Sequence, residues 1–453
     1  MKKRRPSKIS TTHIILLSFL GVILVGTLLL MLPISSATRT ATPFVDALFT
    51  ATTATCVTGL VVFPTVSAWS GFGQAVILLL IQIGGLGLIT ILAGLSLFIN
   101  RKMKLSDSLL LQDAFNLNSL AGLGSFVKKV LLGTFIVEGT GALLYMTVFV
   151  PAYGLRGIWI SVFMAVSAFC NAGMDVMATD SLCGYVAHPL INAVTCALII
   201  LGGLGFIVWW DIIRVAKDSR VKKGSPLRRL TLHSKIALSS TAVLLALGAV
   251  LFFVFEYRNP QTLGELSLFG KIQAAIFQSV TTRTAGFASV PQEHLTNPSV
   301  VLSLLLMFIG GSPVGTAGGI KTVTFTVLLA AALAAVRNRR DVSLFGRTVP
   351  RAMISKAVGV CCMSFLILFL STLLLSTVTD ASIPDVLYET ASATATVGLS
   401  RGLTGQLSTV GKLIVTVTMY LGRIGPISLA VAFNLKKENQ NTIKDPEEAI
   451  SVG

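Results

Sequence analysis

Apolar positions along the chain gather into eight runs, roughly 13–33, 74–98, 127–150, 189–213, 235–255, 299–335, 354–377 and 410–434. Each is long enough to cross a bilayer as a helix, which takes about 20 residues. The runs come in pairs, and inside each pair lies a stretch of another texture. These stretches are 43–60, 156–174, 271–287 and 384–399, helical in pattern and ending in a glycine and one apolar residue. They are too short and too rich in Ser, Thr and Ala to span, so they read as re-entrant hairpins. The pattern predicts an all-α membrane protein with eight spanning helices, arranged as four helix–re-entrant pore loop–helix repeats around a pseudo-fourfold pore. The first run follows Met1-Lys2-Lys3-Arg4-Arg5, as the core of a signal peptide would. Its length and the lack of a small-residue cleavage site favour a retained helix.

The loop ends fall in register. They are Val57-Thr58-Gly59-Leu60, Asn171-Ala172-Gly173-Met174, Thr284-Ala285-Gly286-Phe287 and Thr396-Val397-Gly398-Leu399, with glycines 114, 113 and 112 residues apart. The second helices carry a matching signal, Gly84-Gly85-Leu86-Gly87 and Gly202-Gly203-Leu204-Gly205, with looser copies at Gly310-Gly311 and Gly422-Arg423-Ile424-Gly425. A tetrapeptide recurs by chance; four at near-constant spacing, each between two apolar runs, indicate internal repetition. The expected organisation is a tail 1–11, repeats 12–98, 127–213, 235–335 and 354–434, connections 99–126, 214–234 and 336–353, and a tail 435–453.

Composition narrows the function classes. The chain is 53% hydrophobic and 12% charged, with a mean hydropathy of +0.81. Soluble domains are about a quarter charged, so a soluble enzyme, a disordered chain and a nucleic-acid binder are all disfavoured. The net charge of +17 gathers in the tails and connections, from Lys2 and Lys3 through Arg101, Lys102, Arg214, Lys217, Arg337 and Arg351 to Lys436 and Lys437. By the distribution of basic residues, that side and both termini are cytoplasmic, the protein sits in the plasma membrane, and the loops enter from outside. The same face suits anionic lipid. Six cysteines and four histidines show no metal-ligand spacing, so neither a disulfide framework nor a transition-metal site is expected. His188, beside Pro189, reads as a helix-start residue.

Four re-entrant loops in one chain can surround one axis. Glycine lets the backbone take positive φ without a Cβ clash, and inward carbonyls then replace the hydration shell of a cation. Thr396-Val397-Gly398-Leu399 comes close to the opening of the potassium-channel filter. With one glycine per loop, fewer cation sites are expected.

On these motifs the chain resembles the Trk/Ktr/HKT superfamily of cation transporters over nearly its full length. It is most similar to the membrane subunits of bacterial Ktr potassium uptake systems, because its first repeat begins near residue 12 without the extra helix pair of the longer Trk subunits. The resemblance implies potassium uptake, stimulated by sodium, by a homodimer under a cytosolic nucleotide-binding regulatory ring (KtrA-like) docked on the basic face. It implies K+ as the transported ion, Na+ as an activator, no covalent cofactor, and nucleotide only on the partner. The ion-binding residues would be Val57, Thr58 and Gly59; Asn171, Ala172 and Gly173; Thr284, Ala285 and Gly286; and Thr396, Val397 and Gly398. Glycine in all four loops goes with potassium preference in that superfamily, although the residues themselves leave potassium against sodium open. A Trk-type potassium or sodium transporter is the alternative. About 19 residues follow the last run, so regulation is expected from a separate subunit.

The third repeat departs from its own pattern. Gly310, Gly311, Ser312, Pro313, Val314, Gly315, Thr316, Ala317, Gly318 and Gly319 interrupt its second run, and so many helix breakers predict unwound backbone. Such backbone at mid-membrane belongs along a cavity, which places this stretch beneath the filter as an obstruction. In the resembling family this is an intramembrane gating loop. Arg423 falls about midway along the last run, where an arginine is costly unless it faces the interior or water; it is assigned to the gate. Arg283, three residues before Gly286, is expected to brace its loop against Glu389 or Asp385. Asp46 and Asp385 lie at the starts of short helices and offset their dipoles. Asp175 either concentrates cations at the mouth or is a solvated turn residue, Glu256 needs no special role, and Glu138 is expected to meet a basic residue. A secondary carrier for an organic solute would suit the broken helix but not four equivalent loops. An intramembrane enzyme would need a nucleophile–base pair or metal ligands, and the sequence offers neither.

Overall fold

The computed structural model describes residues 11–87, 90, 91, 93, 123–177, 179–219, 226–339 and 341–425. Its elements follow one order four times. A long apolar helix comes first: α1 (Thr11–Met31), α4 (Leu123–Tyr153), α8 (Leu232–Glu256) and α12 (Arg351–Ser376). A short helix follows it: α2 (Phe44–Cys56), α5 (Leu155–Cys170), α9 (Leu268–Thr281) and α13 (Ile383–Ala395). A further helix completes each set: α3 (Gly71–Leu86), α6 (Pro189–Leu204), α10 (Asn297–Phe308) and α14 (Thr409–Ile424). Among the described residues α6 leads into α7 (Phe206–Ser219) and α10 into α11 (Thr322–Val336), and residues 90, 91 and 93 after α3 are helical too.

Local chemistry sets the helix starts. Ser70, Ser267, Ser382 and Ser408 each accept a first-turn amide at the N-caps of α3, α9, α13 and α14, which satisfies an otherwise orphaned donor. His188 does the same for α6 through Nδ1, 3.4 Å from the Ile191 nitrogen.

Burial runs opposite to that of a soluble protein. Thr53, Thr55 and Thr58 on the first short helix and its loop are fully buried, whereas Leu28, Leu132, Val243 and Phe365 on the four long helices are 61–64% exposed. Leucine faces outward and threonine inward, as expected of a protein whose solvent on that surface is hydrocarbon. Four described helices are long and apolar enough to cross a membrane, or five if α6 and α7 count as one bent span.

The second helices differ from expectation. The runs at 74–98, 189–213 and 410–434 are not continuous helices: α3, α6 and α14 stop at Gly87, Gly205 and Gly425, with φ of 83°, 87° and 88°. After Gly205 the chain turns by 95° into α7. Sequence predicts an interruption in the third set alone, but a glycine at positive φ ends the helix in each of these three sets too. Most of 88–98 and all of 426–434 lie outside the described residues, as do the two tails apart from Thr11 and most of the 99–126 connection. The 336–353 connection contains an unanticipated β-hairpin, Ser343–Leu344 against Arg347–Thr348, turned by Phe345 and Gly346 at positive φ.

A polar tie closes each seam between successive sets. Trp159 donates to Gln74 (2.8 Å), Gln273 to the Val186 carbonyl (3.1 Å), and Tyr388 to Gln292 (3.0 Å). Between the last and first sets, Lys412 meets Asp46 at 2.7 Å, with both side chains mostly buried. Asp46 thus does more than offset a dipole: it joins the ends of the chain. Asp46→Asn is expected to destabilise the protein by about 1–3 kcal/mol, since a mostly buried ammonium loses its carboxylate. Thermal unfolding in detergent reads this, with Asp46→Asn/Lys412→Met recovering part of the loss; an unchanged midpoint in the single variant would contradict the tie.

Candidate ion pathway

The four short helices end at one place. A residue in the left-handed conformation follows each: directly at the ends of α2, α5 and α13 with Val57 (φ 55°), Asn171 (58°) and Thr396 (51°), and three residues past the end of α9 with Thr284 (66°). Such φ values are outliers for β-branched residues, and three of the four are β-branched. Two residues later comes a glycine at positive φ: Gly59 (100°), Gly173 (65°), Gly286 (84°) and Gly398 (98°).

These glycines close a ring in chain order. A Cβ on Gly59 would stand 2.5 Å from the Ala172 carbonyl oxygen, one on Gly173 2.6 Å from that of Ala285, and one on Gly286 2.5 Å from that of Val397. A Cβ on Gly398 would overlap the Thr58 carbonyl oxygen, returning the circuit to the first loop. No larger residue fits this approach of backbone to backbone. All twelve residues expected at the filter therefore lie in loops that meet.

Hydroxyls hold the loops from behind. The Thr58 and Gly59 amides donate to the Thr53 carbonyl (2.8 Å) and Oγ1 (3.0 Å), and the Val397 and Gly398 amides donate to the same atoms of Ser392 at 2.8 and 3.0 Å. In the second loop Ser167 donates to the Met174 carbonyl, and in the third Thr281 donates to that of Phe287, both at 2.5 Å. Among the described residues the buried hydroxyls of Thr58 and Thr396 have no protein partner.

The glycine-rich segment 310–319 lies against the inner side of this ring. It leaves and returns through paired backbone, with the Gly310 amide on the Ile320 carbonyl (2.9 Å) and the Thr322 amide on that of Gly311 (3.0 Å). Between those points it touches three of the loops. Thr316 Oγ1 donates to the Phe169 carbonyl (2.9 Å) and to Asn171 Oδ1 (3.2 Å), and the Gly318 amide donates to Thr284 Oγ1 (3.1 Å). A Cβ on Gly318 would reach the Ala395 carbonyl at 2.5 Å and overlap the Thr396 hydroxyl. The segment also binds α6, through the Ser312 and Thr316 amides to the Gly203 (2.8 Å) and Gly202 (3.1 Å) carbonyls, while Val314 receives the Phe206 amide (3.0 Å). Pro313 packs its carbonyl against Gly205, and Gly315 approaches Gly202.

Three cations hold its carbonyls. Arg423, in the last turn of α14, donates to the Thr316 carbonyl (2.7 Å) and to that of Gly84 (2.6 Å). Arg283 donates to the Gly310 carbonyl at 3.0 Å. It therefore does not brace against Glu389 or Asp385: Glu389 accepts from Ser400 and Thr404, and Asp385 pairs with Arg401 at 2.9 Å. Lys321 reaches the Ala317 carbonyl at 2.5 Å. Sequence reasoning gave Lys321 no role; its signal was a lone lysine two residues after the last glycine of the break.

Among the described residues Glu138 meets no basic residue either; Gln82 donates to it at 3.2 Å and the Cys170 thiol lies 3.9 Å away. Glu256 accepts from Asn259, Thr262 and Thr296 at the end of α8. Asp175 sits in the turn after the second loop, with one oxygen 3.4 Å from the Met177 nitrogen. The recurring glycines of the second helices have a contact reason invisible in sequence. A Cβ on Gly84, Gly202 or Gly422 would overlap the carbonyl of Thr55, Phe169 or Thr394, at the base of the first, second and fourth loops.

Residues 2–444 match the model of the TrkH family, described as cation transport protein. The chain is 39% identical over 442 residues to the Ktr system potassium uptake protein B of Bacillus subtilis (strain 168), covering 97% of this chain and 96% of that one. It is 38% identical over 462 residues to the potassium/sodium uptake protein NtpJ of Enterococcus hirae, covering 100% and 99%. Among solved structures it is similar to the potassium transporter TrkH from Vibrio parahaemolyticus, with a TM-score of 0.74 and 16% identity over 94% of this chain and 86% of that chain. That last likeness is one of fold.

Gly202 joins α6 to the second loop and to the glycine-rich segment. Gly202→Ala would push a methyl into the Phe169 carbonyl and to 2.7 Å from Thr316 Oγ1. Hydrogen exchange at the Thr316 and Gly318 amides is expected to quicken by about tenfold, the effect of losing 1–2 kcal/mol of local stability. Unchanged exchange there would contradict the joint.

Proposed function

The chain belongs to the TrkH family of cation transport proteins, and we propose that it takes up potassium across the plasma membrane through the ring of four loops. The family is one of transporters, so the protein is not an enzyme. The observation that carries the proposal is the ring itself, four glycines at positive φ, each held against the carbonyl of the next loop in chain order. Inward carbonyls from four sides replace the water around a potassium ion, and a ring built of glycine brings that backbone close enough to do so. Relatives whose printed names are potassium uptake proteins support the choice of ion.

In this reading the chain is four repeats, 12–98, 127–213, 235–335 and 354–434, each crossing the membrane twice and entering once from outside. The basic residues hold both termini in the cytoplasm. The segment 310–319 is the gate, held shut by Arg423 on the Thr316 carbonyl. A positive charge directly inside the filter also repels cations until it moves. Sodium stimulates uptake, a nucleotide-binding subunit on the cytoplasmic face controls the gate, and the working form is a homodimer. The Ktr system relatives favour such a subunit. The printed name of NtpJ favours a second reading, carriage of both potassium and sodium.

Potassium-limited growth of a strain lacking its own uptake systems tests the proposal. The intact chain, with a cytosolic nucleotide-binding partner, is expected to restore growth. Gly286→Ser places a side chain at φ 84° and 2.5 Å from the Val397 carbonyl. Left-handed backbone alone costs about 1–2 kcal/mol, so the potassium requirement should rise about tenfold or more. Failure of the intact protein to restore growth while present in the membrane would overturn potassium uptake, and labelled-sodium flux would then decide the second reading.

Arg423→Gln is expected to give faster uptake that no longer depends on the partner, measured as rubidium influx. Influx at or below that of the intact protein would contradict the assignment of Arg423 to the gate.

A further inference from the structure

Behind the second and third loops lies a small cavity of about 20 Å³, lined among others by Asn171, Gly203, Thr241, Val280, Arg283 and Gly311. A single water needs roughly 10–15 Å³ of such space and two to four polar partners. Three of the lining residues each bury a polar atom that no protein group among the described residues meets: Asn171 Nδ2, Thr241 Oγ1 and Arg283 Nε. The residues are 1%, 7% and 7% exposed. Buried polar groups are almost always satisfied, and an unsatisfied one costs about 1–3 kcal/mol.

The unmet groups share a chemistry. Asn171 Oδ1 faces the Thr316 hydroxyl at 3.2 Å, and Nδ2, a donor, is the atom left unmet among the described residues. The Arg283 guanidinium spends one nitrogen on the Gly310 carbonyl and makes no ion pair among the described residues, so its Nε–H is a charged donor without an acceptor. The Thr241 hydroxyl on α8 can donate or accept. The residues that carry these groups come from two different loops and a long helix, and line one space.

We propose that this cavity is a built site for one small hydrogen-bond acceptor, a water or a halide ion in its place, bound by Asn171, Arg283 and Thr241. The bound acceptor bridges the second loop to the third, and through Thr316 and Gly310 it couples both to the glycine-rich segment. It also solvates a guanidinium that lies one residue from the third loop's Thr284, and so weakens the repulsion that Arg283 exerts on a cation in the ring. Only this last consequence rests on the proposed potassium pathway; the site itself does not.

The test is a structure of the full-length protein at a resolution that shows waters, determined once in chloride and once in bromide. Density within hydrogen-bond distance of at least two of the three groups supports the site. An anomalous bromide signal there identifies a halide, and unchanged density without it identifies water. Absence of density, or Asn171 and Arg283 turned onto protein acceptors, overturns the site. Transport by Thr241→Val and Thr241→Ser then tests the coupling. Loss of one bridging hydrogen bond should lower potassium-over-sodium discrimination by about fivefold in the valine variant, with the serine variant like the intact protein. Equal discrimination in all three would overturn the coupling and leave the density result to decide the site. Loss of all potassium transport in the intact protein would count against the pathway and not against the site.

Discussion

Backbone that leaves a helix inside a membrane must find every hydrogen-bond partner within the protein. That constraint organises this molecule. Its four short helices are followed by left-handed residues, three of them β-branched, and then by glycines packed backbone to backbone. Conformations of that kind are strained and persist only where their surroundings over-determine them. The surroundings do so here with Thr53, Ser167, Thr281 and Ser392 bound to the loops from behind, and with glycines at 84, 202 and 422 that bring α3, α6 and α14 onto the bases of three of the loops. The long outer helices supply the apolar wall that keeps the arrangement in hydrocarbon.

The inner side of the ring is held by cations on carbonyls. Arg423, Arg283 and Lys321 each bind backbone oxygens at the edges or middle of the glycine-rich segment, and none of the three forms an ion pair among the described residues. A carbonyl is a weaker anchor than a carboxylate and is more easily exchanged for another acceptor. Such a fastening suits the gating role proposed for this segment. The stabilising ion pairs Asp46–Lys412 and Asp385–Arg401 instead join short helices to the last loop and helix, on the opposite side of the ring.

The loops were legible in the sequence because their glycines have both a periodic position and a distinctive neighbourhood, polar helix before and apolar residue after. The segment 310–319 was legible because so many glycines cannot continue a helix. The endings of α3, α6 and α14 were not, since Gly87, Gly205 and Gly425 each sit in or beside apolar residues that hydropathy reads as one span. Side-chain partners were less legible still. Arg283 was assigned to an acid and binds a carbonyl, and Glu138 was assigned to a base and meets an amide and a thiol. Opposite charges invite pairing on paper, but a fold with unwound backbone offers carbonyls closer at hand. Lys321 was passed over because its partner is the very segment whose end it marks.

The central claim is that a cation sits on the axis of the four loops. Diffraction from the protein loaded with rubidium, recorded at the rubidium absorption edge, tests it directly. The account predicts anomalous density inside the ring, at coordination distance from carbonyls of all four loops around Gly59, Gly173, Gly286 and Gly398. Rubidium bound elsewhere in the membrane region, with none in the ring of a transport-competent preparation, would contradict it.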